Sequence, residues 1–107
     1  MKRHERPPRT SKTGYVYLVD HRETKQTKLG CAKDIRRRFR SLETIVPGTV
    51  VLIYAVPTKD RYAAEARVAR KFRHYKMRGE WYAFPDSEHE AVIKAVGDAA
   101  KGINING

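Results

Sequence analysis

The 107-residue chain has one cysteine, few acidic residues and no long apolar run. A single cysteine, Cys31, excludes an intrachain disulfide framework and is typical of proteins from a reducing compartment. No stretch approaches the roughly 20 apolar residues of a membrane-spanning helix. The basic N-terminus is not followed by the apolar segment of a secretion signal. We therefore expect a cytoplasmic protein that does not insert into a membrane.

The chain also lacks the sequence patterns of several enzyme classes. Its four histidines, His4, His21, His74 and His89, do not have the spacing of metal ligands, and with one cysteine they do not predict a zinc site. There is no glycine-rich phosphate loop and no nucleophile elbow. Any chemistry must therefore come from another arrangement of side chains.

Basic residues are the most abundant functional groups that the chain does contain. Lysine and arginine number 23 against 12 aspartates and glutamates, which gives a net charge of +11 and a pI near 10.1. Such an excess predicts an anionic partner, and nucleic acid is the first candidate. A ribosome or a membrane surface would fit the charge alone equally well. The 40% of hydrophobic residues is enough for the core of one small domain.

Periodicity and turn signals predict one α+β domain over residues 14–102, preceded by a flexible basic arm at 1–13 and followed by a frayed end at 103–107. The expected architecture is a small three-stranded antiparallel sheet flanked by helices. The predicted strands cover 15–20, 25–30 and a buried segment at 50–56, with a short extended piece at 81–84. The predicted helices cover 34–43, 60–75 and 86–100.

Two of these helices have a charged residue at the edge of their apolar face. Arg38 lies beside the stripe of the first helix, and Glu65 flanks the stripe of the second. The two stripes consist of Ile35, Phe39 and Leu42, and of Ala64, Val68, Phe72 and Tyr75. Charged side chains are rarely buried unless they are paired or used. This placement is typical of an arginine that binds a phosphate and of an acidic residue that binds a metal ion.

Four motifs in order complete the pattern: Tyr15-Val16-Tyr17, then Lys28-Leu29-Gly30, then the two charged helix residues, then Gly79-Glu80-Trp81. With these motifs the chain resembles the GIY-YIG nuclease superfamily over about residues 14 to 84. It is most similar to the phage and bacterial branch in which the second motif reads KIG and a GEW motif follows. The biological setting stays open between a phage, a mobile element and a repair role. The resemblance implies the same α+β fold. It also implies a divalent-metal-dependent endonuclease with low intrinsic sequence specificity.

The resemblance assigns Glu65 as the metal ligand and Arg38 as the catalytic arginine. One carboxylate can hold one Mg²⁺, or Mn²⁺, that keeps most of its waters and takes a substrate phosphate oxygen. The guanidinium presents fixed donors that suit a phosphate. The alternatives are a helix salt bridge between Glu65 and Arg61, and a surface role for Arg38 among its neighbouring arginines.

Tyr17 and Lys28 are the two remaining candidate catalytic residues. Tyr17 would position or deprotonate water, and the charges of Lys28 and Arg38 would lower its pKa. Lys28 occupies the place of the second family tyrosine and would contact phosphate. The alternatives are a core aromatic for Tyr17 and an exposed strand residue for Lys28.

Further residues are candidates for nucleic-acid binding. They are Tyr15, Gly30, Lys33, Arg36, Arg37 and His74. Gly30 would end the second strand and let the backbone approach a phosphate, or would only serve a turn. His74 would touch phosphate or would be an ordinary surface histidine. For Trp81 we expect a place in the core rather than stacking on a base.

The leading hypothesis is therefore an endonuclease acting on DNA, with RNA as the other nucleic acid that the charge admits. Because phosphate contacts carry no sequence information, specificity would come from a homodimer or from a separate specificity partner. The alternative is a catalytically inactive nucleic-acid-binding module on the same fold. A third reading is a small basic protein that binds RNA or ribosomes through its tyrosines and arginines.

Overall fold

The computed structural model of the chain describes residues 11–105 and has an α+β fold with helices on both faces of one antiparallel sheet. The strands are β1 (Gly14–His21), β2 (Gln26–Ala32), β3 (Val50–Thr58), β4 (Lys76–Arg78) and β5 (Trp81–Tyr82). The helices are α1 (Ile35–Ile45), α2 (Arg61–Lys71) and α3 (His89–Ala100). Short 3₁₀ turns cover Arg73–Tyr75 and Asp86–Glu88. In the part of the chain that is described, no helix is long and apolar enough to cross a membrane.

The sheet has five strands in the order β3-β1-β2-β5-β4, so the expectation of three strands is wrong. The two additional strands, β4 and β5, have only three and two residues. Strands this short carry no detectable alternation of apolar and polar residues. The strand β5 lies within the extended piece expected at 81–84, and β4 was not predicted. The β1–β2 hairpin was predicted, and its register pairs Tyr17 with Gly30.

Strand β3 lies at an edge of the sheet, and the expectation that it is fully buried is wrong. Its side chains Leu52 and Ile53 are 37% and 41% exposed. The central strand is β1, in which Val16, Tyr17, Leu18 and Val19 are all buried. A continuous apolar run is compatible with either position, because periodicity does not record how many neighbours a strand has.

Aspartates begin the first two helices. The Asp34 carboxylate accepts a hydrogen bond from the Arg37 amide at 3.1 Å, and that of Asp60 accepts one from the Ala63 amide at 3.0 Å. Both aspartates are N-caps. The first helix runs two residues further than expected, to Ile45. The second ends at Lys71, before the 3₁₀ turn.

Two hydrophobic cores occupy the two faces of the sheet. The α1 face contains Tyr17, Val19, Ala32, Leu42 and Val50, with Ile35 and Phe39 packed against them. The opposite face is covered by α2 and α3 and contains the larger core, in which Val16, Leu18, Leu29, Val68 and Val96 are fully or almost fully buried. Arg38 and Glu65 therefore belong to helices on opposite faces.

The chain ends are described only in part. Residues 1–10 of the expected basic arm and residues 106 and 107 of the expected frayed end lie outside the described residues. Residues 11–13 lie beside α2, where the Arg61 amide donates to the Lys12 carbonyl oxygen at 2.8 Å. Ile105, within the C-terminal segment, is packed in the larger core.

Candidate active site

The predicted site residues meet at the outer edge of β2, beyond the point where β5 ends. Within residues 11–105, β5 pairs with β2 only at Thr27 and Lys28, and the Leu29 amide donates to the Glu80 carbonyl oxygen at 3.1 Å. No other strand of the described part of the chain pairs with the edge of β2 beyond this point. Side chains from both faces of the sheet can reach this opening, which lies between α1 and α2.

Arg38 reaches the opening from α1. Its Nη1 atom lies 3.4 Å from the Tyr17 hydroxyl and donates to the Cys31 carbonyl oxygen at 3.3 Å. The guanidinium therefore contacts both the phenol of the central strand and the free edge of β2. Lys33, Arg36 and Arg37 are exposed along the loop before α1 and its first turn. The structure thus distinguishes Arg38 by its contacts from the arginines beside it.

The Tyr17 phenol is buried beneath this arginine. Burial raises the pKa of Tyr17, and it outweighs the opposite effects of the Arg38 hydrogen bond and of the Lys28 charge. The expectation that Lys28 and Arg38 lower the pKa below its ordinary value is therefore wrong. The physical reason is that the loss of hydration destabilises a buried phenolate more than Arg38 and Lys28 stabilise it. Tyr17 is a neutral phenol at neutral pH.

Lys28 forms an ion pair across the end of β5. Its Nζ atom lies 2.7 Å from Glu80 Oε1 and 5.9 Å from the centre of the Trp81 ring. The Lys28 side chain is only 14% exposed, in contrast to an ordinary lysine on a strand surface. Lys28, Gly30 and Tyr17 lie on the same face of the sheet, because Gly30 is the partner of Tyr17 and two residues from Lys28.

Glu65 reaches the opening from α2, on the other face. It is half-buried, and burial together with the nearby Glu80 carboxylate raises its pKa, while a hydrogen bond with the Cys31 thiol lowers it. The alternative salt bridge with Arg61 is not formed between the described residues. The Arg61 guanidinium instead donates to the carbonyl oxygens of Ser11 and Thr13, at 3.1 and 2.9 Å.

The sequence left two roles open for Glu80, a second carboxylate near the site or the partner of a nearby arginine, and the structure pairs it with Lys28. Its carboxylate holds Lys28 and raises the pKa of both Tyr17 and Glu65, so it lies between the two halves of the site. Its position next to Trp81 in the Gly-Glu-Trp motif was the available signal. That signal did not show that the turn before β5 directs Glu80 into the opening.

Gly30 is buried inside β2, which continues to Ala32, and not at the end of the strand as expected. A Cβ atom at Gly30 would lie 2.5 Å from the Tyr17 hydroxyl oxygen and 2.6 Å from Cζ of the same ring. The absence of a side chain therefore leaves room for the Tyr17 ring to lie across β2. The need for a glycine at position 30 therefore comes from the Tyr17 ring, and not from a turn or from an exposed backbone.

Replacing Gly30 by alanine should destabilise the fold and displace the Tyr17 ring. Because the new methyl group would overlap a buried ring, we expect the free energy of unfolding to fall by about 2–3 kcal/mol, the upper part of the range for overpacking. Chemical denaturation measures this change. Gly97→Ala on α3 is the matched control and should change the free energy of unfolding less. Its Cβ would make one close contact, 3.0 Å from the Tyr54 hydroxyl, and helix propensity favours alanine. Equal stability of Gly30→Ala and wild type would contradict the overlap.

Cys31 is a free, half-buried thiol beside Glu65. Burial, the hydrogen bond with Glu65 and the charge of Glu65 raise its pKa to about 12. Since the thiolate is the reactive form, we expect an aromatic disulfide reagent at pH 8 to react about 1,000-fold more slowly than with an ordinary cysteine. Glu65→Gln should accelerate the reaction and Glu43→Gln should not. Complete modification within minutes in the native protein would contradict this assignment.

The other candidate binding residues are spread around this centre. Tyr15 is half-buried on the Tyr17 side of the sheet, opposite Ala32. His74 lies on the 3₁₀ turn after α2, where its ring is 4.0 Å from the centre of the Tyr75 ring. The structure therefore brings together Tyr17, Lys28, Arg38 and Glu65. It places Lys33, Arg36 and Arg37 on an exposed flank and His74 on a separate turn.

Trp81 does not enter the core, and the expectation that it does is wrong. Its ring is half-buried and makes an edge contact with His21, with ring centres 6.0 Å apart. The neighbouring Tyr82 is the buried residue of β5. Adjacent residues of a strand point to opposite faces, so only one of the two aromatics can enter the larger core.

Residues 11–105 contain no group of three or more His, Cys, Asp or Glu side chains arranged as metal ligands. A family model described as the T5orf172 domain matches residues 14–98, which include all five strands and most of the last helix. No curated protein and no solved structure matches the chain.

Proposed function

Since the chain belongs to the T5orf172 domain family, which is associated with GIY-YIG-like nuclease domains, we propose that it is a divalent-metal-dependent endonuclease that hydrolyses DNA phosphodiester bonds. The observation that carries the proposal is the convergence of four candidate residues at the free edge of β2. Arg38 and Tyr17 come from one face of the sheet, and Glu65 from the other. The site has little intrinsic sequence specificity, because its contacts would be to phosphate.

A hard divalent cation fits the donors at this opening. Glu65 and Glu80 are two nearby carboxylates whose repulsion a cation would relieve, since burial and then the Glu80 charge raise the pKa of Glu65. Mg²⁺ is commonly held by one or two carboxylates, with water and substrate phosphate completing its shell. Glu65 would hold the ion, with Glu80 as the second available carboxylate. When bound, the ion supplies Lewis-acid stabilisation of the phosphoryl oxygens.

The side chains of the chain itself would perform the other parts of the reaction. The Arg38 guanidinium would bind the phosphoryl oxygens, on which negative charge develops in the transition state. Lys28 would exchange its partner Glu80 for a substrate phosphate. The neutral Tyr17 hydroxyl is fully buried beneath the Arg38 guanidinium, with Nη1 at 3.4 Å, and would hold the attacking water by hydrogen bonding once Arg38 moves onto the phosphate.

The distribution of charge supports a nucleic acid as the partner on this side of the molecule. Between residues 61 and 78 there are seven lysines and arginines and one acid, Glu65. Residues 79–100 contain five acids and one lysine. The segment 61–78 and α1 would therefore flank the site with positive charge.

An inactive nucleic-acid-binding module is the second candidate, and the Lys28–Glu80 ion pair is the observation that favours it. An ammonium neutralised at 2.7 Å is not free to bind phosphate until the pair opens. Incubation of the protein with supercoiled plasmid and Mg²⁺ or Mn²⁺ separates the two functions. Nicked or linear plasmid that appears with metal and not with EDTA supports the endonuclease. Intact plasmid that is retarded in a gel, with or without metal, supports the binding module.

The pH dependence of cleavage should show whether Tyr17 acts as a neutral phenol that binds water or as a phenolate that acts as the base. Because burial raises its pKa above the ordinary value of 10.0, almost no phenolate is present between pH 7 and 9. We therefore expect wild type and Tyr17→Phe to give parallel pH–rate profiles, with the variant about 10- to 100-fold slower throughout. A rise with pH in wild type that disappears in Tyr17→Phe would instead identify the phenolate as the base.

A further inference from the structure

A depression beside the candidate active site is assigned no role by the proposed function. It has a volume of about 480 Å³ and opens on the α1 face of the sheet. The β1–β2 turn, the end of α1 and β5 surround it. Its lining consists of His21, Thr24, Gln26, Ile45, Val46, Pro47 and Trp81.

The walls combine apolar surface with a few fixed polar groups. Ile45 is 69% exposed and adds apolar surface beside Val46, Pro47 and Trp81. His21 Nε2 donates to the Pro47 carbonyl oxygen at 2.6 Å, which leaves Nδ1 to accept from the Thr24 amide at 3.2 Å. These bonds hold the histidine ring in its T-shaped contact with Trp81. The depression is therefore preformed, with the Gln26 amide as a polar group that can both donate and accept.

The depression adjoins the phosphate-binding part of the site. Gln26 and Lys28 lie on the same face of β2, about 6.6 Å apart along the strand. The Lys28 ammonium is 5.9 Å from the centre of the Trp81 ring. Base and phosphate of one nucleotide are separated by a single sugar. A strand whose phosphate is bound at Lys28 and Arg38 therefore has a base within reach of Trp81.

We propose that this depression binds one unstacked nucleobase of the substrate, next to the phosphate that is cleaved. Nucleobases stack on aromatic side chains, and such stacking tolerates different bases. The adjoining turn has two exposed cations, Arg22 and Lys25, and one carboxylate, Glu23, which accepts from the Thr49 amide at 2.8 Å, so its excess of positive charge complements an anionic strand. A base in a regular duplex is stacked on both sides and does not enter the depression. The substrate is therefore a strand with an unpaired or extruded base at the cleavage point.

This inference rests on the proposed function, and it can be tested without cleavage because Trp81 is the only tryptophan. The probes are a short single-stranded oligothymidylate and an abasic oligomer with the same number of phosphates. We expect the oligothymidylate to quench the tryptophan fluorescence and to bind about 5- to 100-fold more tightly than the abasic oligomer. The abasic oligomer should bind through its phosphates with little quenching.

Variants in which the ring is changed provide the second measurement, by anisotropy of a labelled oligothymidylate. Trp81→Leu should lose most of the preference for oligothymidylate over the abasic oligomer, and Trp81→Phe should keep much of it. Tyr62→Leu removes another exposed aromatic, on α2 and outside the depression, and should leave the preference unchanged.

Two results would overturn the inference and leave the nuclease proposal intact. One is equal affinity for the two oligomers together with metal-dependent cleavage of plasmid. The other is a fluorescence change that depends on protein concentration alone, which would show that Ile45 and Trp81 contact a second copy of the chain. If neither oligomer binds and plasmid stays intact, the proposed function itself fails.

Discussion

Glu65→Gln is expected to abolish metal-dependent cleavage of plasmid and to preserve binding. The substitution replaces a carboxylate that would hold the cation by an amide of the same shape. Since Lewis-acid stabilisation contributes several kcal/mol, the expected loss of rate is at least about 1,000-fold. Retardation of plasmid in a gel should be as strong as for wild type or stronger, because one negative charge is removed from a surface that binds phosphate.

The stability of the same variant shows whether lost activity reflects chemistry or unfolding. The folded-state pKa of Glu65 is raised, so its protonated form is favoured in the fold and its charged form costs stability above the pKa of the unfolded chain. At pH 7, Glu65→Gln should therefore unfold at the same denaturant concentration as wild type or a higher one. Glu90→Gln, at an exposed position on α3, is the matched control for cleavage. Wild-type cleavage by Glu65→Gln would exclude Glu65 as the metal ligand.

Arg38→Ala should reduce cleavage about 100- to 1,000-fold, the usual effect of removing one donor to a developing oxyanion. The reason is that Arg38 is the cation that contacts both Tyr17 and the free edge of β2. Arg38→Lys should recover little of this loss, because an ammonium cannot reproduce the two directed donors of the guanidinium. Single-turnover nicking rates at saturating protein measure the effect on chemistry apart from binding.

Arg37→Ala is the control on the same helix, since the Arg37 side chain is exposed. It should weaken binding several-fold, reduce the salt dependence of the affinity by about one phosphate contact, and leave the saturated rate unchanged. If Arg38→Ala behaves like Arg37→Ala, then Arg38 is an ordinary phosphate-binding residue and not a catalytic one.

The sequence was sufficient to predict the principal elements and the main residues at the opening. Alternation and β-branched residues located the hairpin, and apolar stripes located the three helices. The same stripes singled out Arg38 and Glu65, because a charged residue beside an apolar face is visible in the sequence. The short strand β4 escaped prediction and β5 was expected only as part of an extended piece at 81–84, since two or three residues show no period.

The pairing of the strands decided the role of Gly30. The sequence alone predicted one of two roles for this glycine, to form a turn or to let the backbone approach a phosphate. Only the register that pairs Gly30 with Tyr17 shows that the glycine leaves space for a buried ring. The same burial raises the pKa of Tyr17, which nearby positive charges alone would lower.

The linear order of residues thus determined the type of elements, the family motifs and the excess of positive charge, because each depends on residues close together in the chain. Tertiary structure alone decided that β3 is an edge strand, that Glu80 turns into the opening beside Lys28, and that Trp81 lies outside the core. Each of these depends on contacts between residues distant in sequence. Lys28 and Glu80, for example, are 52 residues apart and form the ion pair only because β5 ends beside β2.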